Sequence, residues 1–157
     1  MSSSPSPLPP PSPPLRTRIK MCGLTREQDV DAAVAAGADA IGFVLYAKSP
    51  RAVTPQRAAE LARRLPSFIT PVLLFVNADD ALLHEAAQAM PHAVWQFHGD
   101  ETPEQCQRIA AQAGRRWYKA IQVRPDLDIL TEIQRYQAVG ASAVLLDAWH
   151  PDLKGGT

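Results

Sequence analysis

Two side chains in this 157-residue sequence stand where their neighbours would sharpen their chemistry. Cys22 lies between Lys20 and Arg26, just ahead of an expected helix start. Cations and a helix N-terminus both favour a thiolate, so Cys22 could act as a base or nucleophile; a small buried hydrophobe is the competing reading. Asp147 follows Ala-Val-Leu-Leu, a run with no other ionisable group. Partial burial there would keep a proton on it near neutral pH, as a general acid requires, while a carboxylate capping the next loop is equally open. Arg51 offers a planar fork for a carboxylate or phosphate, or is a solvated loop arginine. His98 could shuttle protons, although a structural hydrogen bond is the better reading. Lys119, inside an apolar run, either points inward or snorkels to the surface. Cys106 falls within an expected helix and reads as core, and neither cysteine belongs to a C-x-x-C pair that would suggest zinc or dithiol chemistry.

These groups can meet only if the chain brings them to one place. From Arg18 onward a short apolar run, a turn, an amphipathic helix and a glycine recur. The runs are Arg18–Cys22, Ala40–Leu45, Val72–Val76, Val94–His98, Trp117–Val123 and Ala143–Asp147, nearly continuous in apolar residues as strands covered on both faces require. Pro71 lacks an amide donor, so the third run is started after it. Thr25 with Gln28 and Thr102 with Gln105 fit capping boxes, and Thr54-Pro55 and Thr102-Pro103 put proline at the first helical position. Val30, Ala33 and Val34 form one helical stripe, and Gly37, Gly114 and Gly140 close helices. Strand starts fall roughly 22 to 32 residues apart, the length of a strand–helix unit, and predict an α/β fold of parallel strands. No G-x-G-x-x-G follows the first run, which favours a (β/α)₈ barrel over an open dinucleotide-binding sheet. In a barrel the loops after the strands carry the chemistry, so Lys48, Arg51, Asn77, Gln96, His98, Asp100 and Arg124 are expected to ring one mouth with Cys22 and Asp147.

Composition excludes several function classes. Hydrophobic residues make up 46% and charged residues 20%, with Lys+Arg and Asp+Glu both at 16, so there is no basic field for nucleic acid or an anionic membrane. No apolar run reaches the roughly 20 residues of a spanning helix, and two cysteines point to a reducing cytoplasm rather than a disulfide scaffold. Seven of the first 14 residues are Pro and five are Ser, which marks residues 1–17 as a disordered tail with the partial barrel at 18–157. An eight-unit barrel at about 25 residues per unit needs roughly 200 residues, so only about six units are expected and the sequence reads as C-terminally truncated. The two parallel edges left open would invite a homodimeric or complementing partner.

The motifs resemble one family. Ile19-Lys20-Met21-Cys22-Gly23-Leu24-Thr25-Arg26, Gly42-Phe43-Val44 with Lys48-Ser49-Pro50-Arg51, Phe75-Val76-Asn77, Gln96-Phe97-His98-Gly99-Asp100-Glu101 and Leu145-Leu146-Asp147 follow in the order of phosphoribosylanthranilate isomerase. Gly155-Gly156-Thr157 is similar to the opening of that family's Gly-Gly-Thr-Gly loop, while Met21 and Phe97 replace commoner aliphatics. The resemblance implies a tryptophan-biosynthesis enzyme that rearranges N-(5-phosphoribosyl)anthranilate to 1-(2-carboxyphenylamino)-1-deoxyribulose 5-phosphate without metal or organic cofactor. It implies Asp147 as general acid, Cys22 as general base, Arg51 on the anthranilate carboxylate, and His98 and Gly156 at the phosphorylated small-molecule substrate. The alternatives are a non-catalytic remnant or assembly module of that fold and, more distantly, another phosphate-binding barrel such as indole-glycerol-phosphate synthase.

Overall fold

The computed structural model describes residues 16–149; the tail through Leu15, and Gly155, Gly156 and Thr157, lie outside the described residues. The order is β1 (Lys20–Cys22), α1 (Glu27–Ala35), β2 (Ala40–Val44), α2 (Pro55–Ala62), β3 (Thr70–Phe75), α3 (Asp80–Ala89), β4 (Val94–Phe97), α4 (Pro103–Ala113), β5 (Trp117–Val123), α5 (Ile129–Ala138) and β6 (Val144–Ala148). All six strands are parallel and lie side by side in chain order. Repeated crossovers of one hand place every helix on the same side and curl the sheet toward a barrel.

Strand parity divides the residues. Ile41, Phe43, Leu73, Phe75, Trp95, Phe97, Trp117 and Ile121 face the helices and pack with Val30, Ala58, Leu61, Leu83, Ala86, Cys106 and Ala110. Aromatic rings interlock along this layer, Phe75 on Trp95 at 4.8 Å and Phe97 on Trp117 at 5.8 Å between centroids. The alternate residues face a concave cleft of about 620 Å³, bounded by β1 through Cys22 and by β6 through Asp147. Two strands at opposite edges of the sheet thus share one cavity, because the sheet is curled.

Most expected caps are present. Thr102 and Gln105 satisfy each other's backbone amides, and Thr54 accepts from Arg57 N with Pro55 in the first turn. Gly114 ends α4 at φ 64°, a conformation that costs residues with a Cβ. Two expectations are corrected. Thr25 and Gln28 make no capping box; α1 starts at Glu27 behind Arg26, whose side chain instead grips Asp29 at 2.7 and 2.9 Å. Pro71 lies inside β3, opposite Ile41. Thr70 N and Leu74 O bond toward β2, so Pro71 faces β4, and pairing with β4 begins only at Val72; the missing donor therefore has no partner to lose. At the strand starts, Asp39 takes hydrogen bonds from Ile19 N and the guanidinium groups of Arg16 and Arg18, tying the edge strand β1 to β2.

Candidate active site

The cleft gathers the expected ring. Cys22, Lys48, Arg51, Asn77, Gln96, His98, Asp100, Arg124 and Asp147 all line it, joined by Lys20, Tyr46 and Glu132. Cys22 ends β1 opposite Gly42, and a Cβ on that glycine would stand 2.7 Å from Cys22 Sγ and 3.3 Å from Lys20 Nζ. Gly42 therefore makes the space that the sulfur and the ammonium share. Of the two cations flanking Cys22 in sequence, only Lys20 reaches this space; Arg26 is held by Asp29. The N-terminal turn of α1 already carries Glu27 and Asp29.

Arg51 crosses Gly23, whose φ of +82° and lack of a Cβ admit it: a Cβ there would lie 2.8 Å from Arg51 Cδ and Cζ. Its Nη1 donates to Cys22 O at 2.8 Å. Among the described residues this is the only guanidinium nitrogen of Arg51 with a protein acceptor, so the rest of the fork is open to an anion.

Asp147, at 23% side-chain exposure, is half-buried as its apolar surroundings suggested, and it has a partner that sequence proximity did not reveal. His98 Nε2 lies 2.9 Å from Asp147 Oδ2. The imidazole's other nitrogen is 3.1 Å from Gln96 Nε2, and Tyr118 donates its O–H to Gln96 Oε1 at 2.8 Å. The structural hydrogen bond expected of His98 thus exists, and it falls on the candidate acid.

Other mouth residues are structural. Asn77, at φ 47°, accepts Asp100 N on Oδ1 and donates Nδ2 to Asp100 Oδ2, while Gly99 lies so close that a Cβ would meet Asn77 Oδ1 at 2.6 Å. Beneath them Glu101 is buried and accepts Asn77 N at 2.7 Å, Gly99 N at 2.9 Å and Lys119 Nζ at 2.9 Å. Lys119 therefore does not snorkel: it contributes to the cleft lining, and its ammonium is held by Glu101 and by Gly99 O at 2.6 Å. The signal for this pair was a lysine inside Trp117–Val123, an apolar strand where an ammonium needs a carboxylate partner. Cys106 is fully buried as expected, and burial pushes its thiol up to about 12. No three His, Cys, Asp or Glu side chains converge as a metal site, and no helix is long and apolar enough to cross a membrane, among the described residues. Gly156 lies outside the described residues.

Comparison with known proteins places the chain in one family. A family model described as N-(5'-phosphoribosyl)anthranilate (PRA) isomerase matches residues 19–157. The chain is 59% identical over 143 residues to the N-(5'-phosphoribosyl)anthranilate isomerase of Acinetobacter calcoaceticus, covering 91% of this chain and 67% of the relative. Among solved structures, phosphoribosyl anthranilate isomerase from Thermotoga maritima superposes with a TM-score of 0.77 at 32% identity, covering 90% of this chain and 66% of that one. A phosphoribosyl anthranilate isomerase in complex with reduced 1-(o-carboxyphenylamino)-1-deoxyribulose 5-phosphate does so with a TM-score of 0.74 at 32% identity, covering 85% and 66%. The chain spans about two thirds of the length of these relatives.

Proposed function

Because the chain belongs to the N-(5'-phosphoribosyl)anthranilate isomerase family, we propose that it carries the acid, the base and the carboxylate-binding arginine of that family's Amadori rearrangement. Asp147 gives a proton to the furanose ring oxygen as the C1–O bond breaks and the anthranilate nitrogen's lone pair forms a C=N bond. Cys22 Sγ then takes the C2 proton, and the released electron pair forms the C1=C2 bond of an enolamine as the C1=N π pair returns to the nitrogen. Loss of the enol proton and protonation at C1 yield the ketose. Arg51 holds the anthranilate carboxylate with the part of its fork that Cys22 O does not occupy. His98, bonded to Asp147, keeps the acid oriented. The two free thiols support a reducing, cytoplasmic setting.

The observation that carries the reading is the shared cleft. An acid and a base must address the sugar from different sides, and Asp147 and Cys22 stand on the two edge strands that bound one cavity. A second copy of the chain or a complementing chain is part of the reading, because unpaired parallel edges can pair with another chain. Apolar side chains on the edge strands favour such a partner: Met21 of β1 and Leu146 of β6 are both exposed.

The test is conversion of N-(5'-phosphoribosyl)anthranilate by the 157-residue chain, alone and mixed with the C-terminal third of the Acinetobacter calcoaceticus relative. Turnover in either setting, lost by at least about a hundredfold in Cys22→Ala and in Asp147→Asn, is expected. Near-normal turnover in both variants would remove the mechanism. A folded chain inactive in both settings would favour an assembly module instead.

A further inference from the structure

Gln96 is 1% exposed and lies directly across from Tyr118 in the β4–β5 ladder, so solvent cannot repair a mispaired amide there. As the side chains stand, the hydrogen bonds run in one direction. Tyr118 O–H donates to Gln96 Oε1 at 2.8 Å, Gln96 Nε2 donates to His98 Nδ1 at 3.1 Å, and His98 Nε2 donates to Asp147 Oδ2 at 2.9 Å. Turning the amide over would set Nε2 against the phenol oxygen and Oε1 against His98 Nδ1. The phenol hydrogen would then have no acceptor among the described residues, and Asp147 would have to supply the proton between itself and His98 Nε2. A buried donor left unmatched is disfavoured, so the direction of the chain is set at its far end, by a hydroxyl.

We propose that Tyr118, acting through Gln96, is a positioning residue that fixes His98 as the Nε2–H tautomer and so tethers one oxygen of Asp147. Tyr118 suits this task because burial, with Cys22 nearby adding to it, pushes its phenol up and keeps it a donor at physiological pH. With Oδ2 held by His98, Oδ1 is the oxygen of Asp147 left to carry a proton to a substrate. The functional consequence rests on the reading of Asp147 as general acid; the tautomer does not.

The test is the ring-nitrogen NMR spectrum of the full chain carrying isotope-labelled histidine, at a pH where the imidazole is neutral, with the His98 signals identified by their loss in His98→Asn. Wild type is expected to show a bare Nδ1 and a protonated Nε2. Tyr118→Phe removes the hydroxyl that orients the amide, and is expected to shift the tautomer ratio toward Nδ1–H by about 2- to 10-fold, the equivalent of one hydrogen bond. Gln96→Glu, whose carboxylate only accepts, is expected to draw a proton onto Nδ1. If Tyr118→Phe fails to fold, the wild-type and Gln96→Glu spectra decide. A wild-type His98 protonated on Nδ1, or a folded Tyr118→Phe with an unchanged ratio, would overturn the proposal. In the isomerase assay Tyr118→Phe is expected to lower kcat severalfold with KM unchanged. Normal turnover in Asp147→Asn would sink the general-acid reading while leaving the tautomer result to be judged by the spectra alone.

Discussion

Replacing Lys119 by Met tests how the mouth of the cleft is held. The Lys119 and Glu101 side chains are 4% and 6% exposed, and their charged groups meet at 2.9 Å. Without the ammonium, Glu101 keeps the amides of Asn77 and Gly99 but loses its counter-ion, and Gly99 O loses its donor. Removing one partner of a buried pair costs about 3–5 kcal/mol because the other charge is left uncompensated. At a urea slope of about 2 kcal/mol/M that is a fall of roughly 1.5–2.5 M in the unfolding midpoint. Glu101→Gln should cost at least as much, since it sets an NH₂ group against backbone N–H donors and leaves the ammonium unpaired. The double variant buries neither charge, so it should be less damaged than the two losses together predict, with a coupling of about 2–3 kcal/mol. Urea unfolding of the wild type, both single variants and the double variant completes the cycle. A coupling below about 0.5 kcal/mol would refute the claim that this pair, and not the surrounding packing, fastens the loops bearing Asn77 and His98.

Two further outcomes follow from the same geometry. Iodoacetamide should modify the native chain at Cys22 alone and the urea-unfolded chain at both cysteines, since Cys106 is fully buried with its thiol pushed up to about 12; native labelling of Cys106 at a comparable rate, read by mass spectrometry, would contradict that burial. Hydrogen bonds from Arg16 pull Asp39 well below the usual carboxylate range, and those from Arg57 lower Glu27 to about 2. Because these folded values lie below the unfolded ones, the unfolded chain binds more protons in between; the stabilisation is complete above about pH 4.5 and is lost as pH falls toward 2. Urea midpoints measured across that window should fall less steeply in Asp39→Asn, and an unchanged slope would show that the Arg16 and Arg18 contacts contribute nothing to the folded state.

Local chemistry was legible in the residues themselves. A strand–helix repeat, the caps at Thr54 and Thr102, the turn at Gly114 and the set of polar residues at strand ends depend on neighbours within about four positions, and the folded chain keeps them. What the sequence could not order were contacts set by register between distant strands. Arg26 stands four positions from Cys22 yet turns to Asp29, whereas Asp147 meets His98 across 49 positions and Lys119 meets Glu101 across 18. In a parallel sheet, a residue's parity decides whether it faces the cleft or the helices, and pairing decides which residue stands beside it. Tyr118 and Lys119 are adjacent in the chain, but β5 sends one to Gln96 in the cleft and the other to Glu101 beneath Asn77 and Gly99. Residue types supplied an acid, a base and an arginine; the curl of six paired strands placed them around one cavity.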